Sequence, residues 1–162
     1  MFCRRRKAQL ALGDKAPSFR LTGLDGSARS LDEILASGPA LLAFYKISCP
    51  VCQLTAPYLQ RLAANDALQV IGISQDEANG TRGFTERFGV TFPTLLDLSS
   101  EGYAASNAYG ITSVPSLFLV ERDGTIARSF SGFSKRDLEE LGARAGVSPF
   151  GPDDQVPEWK AG

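Results

Sequence analysis

An apolar run with a helical segment directly behind it sets the frame for this chain. Pro39–Lys46 reads Pro-Ala-Leu-Leu-Ala-Phe-Tyr-Lys, and from Pro50 onward Leu54, Tyr58 and Leu62 fall on one helical stripe, with Leu59 beside it. A short run without polar alternation, ending in aromatics, is the pattern of a strand buried on both faces. Pro50 suits the first helical position, because the N–H it lacks would have no partner there. Asn65 and Asp66 close the segment, and a second buried run follows at Leu68–Ser74. A helix joining two strands makes them parallel members of one sheet.

The remaining segments extend this α/β pattern. Phe19 and Leu21 alternate in a short strand that leads to an Asp25-Gly26 turn. Residues 79–89 read as a helix, with Phe84 and Phe88 four apart and Gly89 as its stop. A strand is expected at Thr94–Leu96 and a helix from about Ser100 to Tyr109. Ser116–Glu121 and Thr125–Phe130 flank an Asp123-Gly124 turn and predict a hairpin. Ser134 with Asp137 three residues on is a capping pattern that opens a last helix, running to about Arg144. At 162 residues the chain is about one domain long. Such a domain buries roughly two-thirds of its unfolded surface and needs neither disulfide nor metal to fold. The expected division is a flexible basic N-terminus at 1–12, one domain at 13–146 and a Pro/Gly-rich tail at 147–162.

Cys49 and Cys52 lie at the junction between the first buried strand and its helix. The chain has three cysteines and no histidine, and that excludes much. Structural zinc takes four Cys or His ligands. A c-type haem needs CxxCH, but Gln53 follows Cys52. Copper sites that pair two cysteines with a histidine, and Ser-His-Asp or Cys-His catalysis, are excluded in the same way. No metal and no cofactor are expected. A net charge of −1 argues against nucleic acid as a partner. What remains is a redox couple or a bland pair of buried cysteines. Cys49 would sit at a helix N-terminus, where free N–H groups and the dipole favour a thiolate. Cys52, one turn further in, would be buried and act as the resolving thiol.

With "FYKISCPVC", Pro57, the stretch "QDEANGTRGFTERFGVTFPTLLD", "YGITSVPSLFLVERDGTI" and Gly132 taken together, the chain resembles thioredoxin-fold proteins of the redoxin (AhpC/TSA) and TlpA-like branch over roughly Gly13–Ala145. The resemblance implies a central mixed β-sheet with helices on both faces, an N-terminal hairpin and a central insertion. It implies a thiol–disulfide oxidoreductase in which Cys49 attacks, Cys52 resolves and the two form a redox-active disulfide. It further implies a cis Pro115 beside the cysteines, and a Val114 backbone that pairs with an extended segment of the partner. The partners would be a protein or small-molecule disulfide or dithiol and a thiol electron donor, with the protein monomeric.

The departures from the family are specific. Thioredoxins carry a buried acid where this chain has Ala43, and TlpA-like proteins often carry a glutamate where it has Thr55. Asp76 or Glu77, acting through water, is the available substitute as proton acceptor for Cys52. Tyr45 replaces a tryptophan. Lys46 could add positive potential at Cys49, although a solvated lysine at a strand end is the simpler reading. A peroxiredoxin-like thiol peroxidase is the alternative function. Its Pro-x-x-x-Thr-x-x-Cys motif finds Leu42 and Lys46 before Cys49, or Tyr45 and Cys49 before Cys52, so neither register fits. A non-catalytic adaptor would have no need of both thiols. The start "MFCRRRK" is basic with no long apolar stretch behind it, so neither a signal peptide nor a membrane span is expected. That reads as cytoplasmic, with a reducing role, or as periplasmic if the start is trimmed or misassigned. Cys3 reads as a lone thiol in a frayed terminus. Trp159 is unusual in such a tail and points to docking on the body, near a groove.

Overall fold

The computed structural model describes residues 8–162. Cys3 and the basic run Arg4–Arg6 lie outside the described residues. The elements, in chain order, are β1 (Arg20–Gly23), β2 (Ala28–Ser30), α1 (Leu31–Ala36), β3 (Ala40–Tyr45), α2 (Pro50–Leu62), β4 (Gln69–Ser74), α3 (Ala78–Phe88), β5 (Thr94–Leu96), α4 (Ala104–Ala108), β6 (Ser116–Val120), β7 (Ile126–Ser131), β8 (Phe133–Ser134), α5 (Lys135–Ala145) and β9 (Trp159–Lys160). The first seven strands form one sheet in the order β2-β1-β5-β4-β3-β6-β7, and β8 pairs with β9.

Every residue of β3 is buried. It runs parallel to β4, Ala40 opposite Gln69 through Tyr45 opposite Ser74, and antiparallel to β6, Ala40 opposite Val120 through Phe44 opposite Ser116. The sheet is therefore mixed. The period-2 alternation of a strand sends its side chains to two separate cores. Leu41, Ala43 and Tyr45 meet Val51, Cys52 and Leu59 of α2 and Leu138 and Leu141 of α5. Ala40, Leu42 and Phe44 meet Ile34 of α1, Ala105 of α4, and Tyr109 and Phe118. Helices cover both faces, as expected. The β1–β2 hairpin turns at Gly26, and β5 of the insertion pairs with both β4 and β1.

Two helices differ from the sequence expectation. At α1 no helix was expected. Ser30 caps it by accepting from the Glu33 N–H at 3.1 Å, the Ser-x-x-Glu pattern that also carries a capping signal. The helix expected from Ser100 to Tyr109 is broken. A 3₁₀ turn at Ser99–Glu101 is followed by Gly102 and Tyr103, both left-handed, and α4 starts only at Ala104. The cause is Asp97 at the end of β5, fully buried, whose carboxyl accepts from Ala105 N, Ser106 N and Ser106 Oγ at 2.6–3.2 Å. An anchored N-terminus sets where the helix begins. Asp97→Ala would leave those donors unpaired, and urea unfolding should show a loss of about 3 kcal/mol, while Ser30→Ala should cost about 1 kcal/mol.

Candidate functional site

The carboxyl end of β3 and the amino end of β6 lie at the same edge of the sheet, because the two strands are antiparallel neighbours. The loop at 46–49 leaves that end of β3, and Val114-Pro115 leads into β6. Sequence positions more than sixty apart are thus brought together. Cys49 is the N-cap residue of α2, in extended conformation, and Pro50 opens the helix. The Cys49 Sγ stands where a capping oxygen would, accepting from Cys52 N at 3.2 Å, and its thiol donates to Val114 O at 3.4 Å. The Val114–Pro115 peptide bond is cis, and Pro115 O accepts from Gly132 N at 2.8 Å. Cys49, Cys52, Val114 and Pro115 therefore share one site.

The two thiols are unequal. Cys49 is half-buried and Cys52 is 2% exposed. Burial pushes the Cys52 thiol well above its ordinary range, and the neighbouring Cys49 adds to the effect. Both cysteines are free thiols in this structure.

No acid stands at either family position. Ala43 is packed in the core between Gly72 and Leu117, and the buried Thr55 hydroxyl donates to Val51 O at 2.7 Å. Of the two substitutes, Asp76 is at the site and Glu77 is exposed at the start of α3. Asp76 Oδ2 accepts from Ile47 N at 2.8 Å, inside the loop that presents Cys49, and its charge opposes ionisation of Cys52. Gln53, not among the expected site residues, donates to Ile47 O at 3.0 Å and pins the same loop from the helix side. Lys46 is exposed, with no ion pair among the described residues. Its carbonyl accepts from Cys49 N at 3.3 Å, so its backbone shapes the turn. Tyr45 is buried under Phe84, ring centroids 4.9 Å apart, and its hydroxyl has no hydrogen-bond partner. Burial raises its pKa to about 12.

A cleft of about 210 Å³ at Val114 is lined also by Lys46, Gln75, Tyr103 and Ser113, with neither cysteine in its wall. A larger cavity of about 430 Å³ lies at the far end of β4, around Asn65, Asp66 and Gln69, and includes neither cysteine. Among the described residues there is no cluster of three or more His, Cys, Asp or Glu suited to a metal, and no helix long and apolar enough to cross a membrane.

The burial of these groups has a consequence for stability. Cys52, Tyr45 and Tyr109 each bind their proton more tightly folded than unfolded. Above a thiol's ordinary value of 9.0 the native dithiol protein therefore holds more protons than the unfolded chain, and its stability must fall as pH rises. Each such group contributes a slope of up to about 1.4 kcal/mol per pH unit. Urea unfolding under reducing conditions from about pH 8 to pH 10.5 should show this decline. Cys52→Ala should make it shallower; an unchanged slope would mean that Cys52 is not buried in solution.

Comparison with known proteins bears on the family and the fold. The AhpC/TSA family model matches residues 12–129. The thiol-disulfide oxidoreductase ResA of Geobacillus thermodenitrificans is 28% identical over 139 residues, covering 83% of this chain and 78% of that protein. Among solved structures, one described as a thiol:disulfide interchange protein DsbE from Chlorobium tepidum matches with a TM-score of 0.73 at 25% identity, over 88% of this chain and 100% of its own. A peroxidoxin, BcpB, from Mycobacterium tuberculosis matches with a TM-score of 0.70 at 24% identity, over 85% and 97%, and shares the fold. With the sheet, the family match and these likenesses together, the chain belongs to the AhpC/TSA family and has the thioredoxin fold.

Proposed function

We propose that this protein is a thiol–disulfide oxidoreductase that works through Cys49 and Cys52. The observation that carries the reading is the placement of two free thiols of unequal access at one helix N-terminus. Cys49 is at the cap and half-buried, while Cys52 is behind it and nearly inaccessible. In the reducing direction the Cys49 thiolate attacks one sulfur of a partner disulfide. That S–S bond breaks, a mixed disulfide forms, and the partner's other sulfur leaves as a thiolate and takes up a proton. Cys52 then loses its proton and attacks Cys49 Sγ, releasing the partner's second thiol and leaving a Cys49–Cys52 disulfide. Two electrons have passed to the partner. The same steps reversed oxidise a dithiol.

Cys52 N–H points at the Cys49 sulfur, where it can hold the negative charge that this sulfur carries when it attacks and when it leaves. The raised proton affinity of Cys52 makes its deprotonation the demanding step. Asp76, at the site and bound to the Ile47 N–H, is the acceptor we assign to that proton, through water. Val114 and Pro115 present the carbonyl edge beside which the partner's backbone lies, and Lys46 serves mainly through its backbone. The partner is a protein or small-molecule disulfide, with a thiol donor to regenerate the pair. The peroxidase reading has less support, since exposed Lys46 stands where the peroxide-polarising threonine would be.

Two variants test the assignment. Cys52→Ser should accumulate mixed disulfides on Cys49 when mixed with oxidised insulin, seen as adducts by mass, whereas Cys49→Ser should accumulate none. Adducts on Cys49→Ser instead would reverse the roles. Asp76→Asn should slow resolution of a preformed Cys49 mixed disulfide by about tenfold or more. The effect should be largest near neutral pH, where hydroxide is scarce. Resolution at the wild-type rate would remove Asp76 from the proton path.

A further inference from the structure

Residues 147–162 hold no helix, yet they stay on the body of the protein. Arg61 of α2 donates to Pro149 O at 2.8 Å and pairs with Asp154 at 2.6 Å. Phe150 packs on Tyr58 of α2, ring centroids 4.7 Å apart. Lys135 N then donates to Glu158 O at 3.0 Å, and β9 lies antiparallel to β8, with Ser134 opposite Trp159 and Phe133 opposite Lys160. The chain next crosses Gly132. This residue has a φ of 76°, and a side chain on it would strike the Lys160 carbonyl. Finally Gly162 arrives against the carbonyl oxygen of Val114 and the ring of Pro115, so closely that a side-chain carbon at 162 would overlap that oxygen. This is the oxygen to which the Cys49 thiol donates.

We propose that residues 159–162 are an intrachain strap lying on the strip Val114–Gly132–Ser134, and that a partner polypeptide reaches Cys49 by displacing it. The identity of the partner rests on the disulfide-exchange reading; the cover over Cys49 does not. The strap runs as extended backbone against backbone, so its natural competitor is an extended polypeptide segment bearing the disulfide. Its hold is suited to opening. The β8–β9 ladder is two residue pairs long, Trp159 is 60% exposed, and Ala161 and Gly162 bring almost no side chain to bury. The firmer anchors, Arg61–Asp154 and Phe150–Tyr58, lie upstream and remain in place when the last four residues lift. A site open only part of the time binds its partner more weakly by the open fraction.

Two full-length substitutions loosen the strap without touching the core or the cysteines. Gly162→Val cannot lie on the Val114 carbonyl, and Lys160→Pro removes an N–H from β9. Both should raise the rate at which a bulky maleimide alkylates Cys49, by about three- to tenfold. Trp159→Phe, which keeps the strand, should alkylate at the wild-type rate. Turnover should follow: kcat/KM for oxidised insulin should rise in both variants more than for a small disulfide such as hydroxyethyl disulfide. Alkylation rates equal to wild type in both variants would overturn the strap. If the wild-type protein and the variants all fail to reduce insulin, the disulfide-exchange reading falls, and the alkylation rates still decide whether the strap covers Cys49.

Discussion

The site hangs from β3. Its parallel pairing with β4 and antiparallel pairing with β6 fix three chain ends at one edge of the sheet: the loop carrying Cys49, the turn carrying Asp76, and the Val114-Pro115 approach to β6. A strand buried on both faces cannot slip by one residue without exchanging Leu41, Ala43 and Tyr45 for Leu42 and Phe44 between two differently shaped cores. That register lock holds a helix N-terminus against a backbone carbonyl, with the Cys49 sulfur between them.

Once the sulfur is so placed, the helix itself separates the two thiols in access. The first cysteine caps α2 and faces the rim; the second, one turn on, points into the core with Val51, Ala56 and Leu59. Burial that makes Cys52 a poor acid also keeps it from foreign reagents. In the proposed exchange its nucleophilic use is attack on the sulfur beside it. The resemblance to thioredoxin and TlpA-like proteins points to an acid at one of two positions. Here both are filled by non-ionisable side chains, Ala43 and Thr55, and the carboxyl at the site, Asp76, belongs to a loop instead. An acid on a half-buried loop keeps contact with water, which suits a proton acceptor that must also release its proton.

The strap uses the same edge. Residues 147–158 are tied to α2 and α5 through Arg61, Tyr58 and Lys135, so the last four residues are delivered to the Val114 carbonyl by anchors on the very helix that carries the cysteines. Gly132 permits this by having no Cβ where the Lys160 carbonyl passes. Access to the sulfur and the integrity of the fold thereby depend on separate contacts.

The strand–helix frame, the two thiols and their unequal access were legible in local patterns: the apolar run 39–46, Pro50 at the first helical position, the Asp25-Gly26 and Asp123-Gly124 turns, and the absence of histidine. These are short-range signals, governed by backbone sterics and periodicity, which a sequence carries directly. The helix α1 was equally legible from Ser30 and Glu33 but was overshadowed by the hairpin before it. What lay beyond local reading depended on contacts between distant segments. Asp97 cuts a helix short from the end of β5, Gln53 and Asp76 clamp one loop from two sides, and Gly162 reaches the carbonyl of Val114. Hydrogen bonds of this kind are set by where the packed sheet and helices leave donors and acceptors facing one another, and only the tertiary structure decides that.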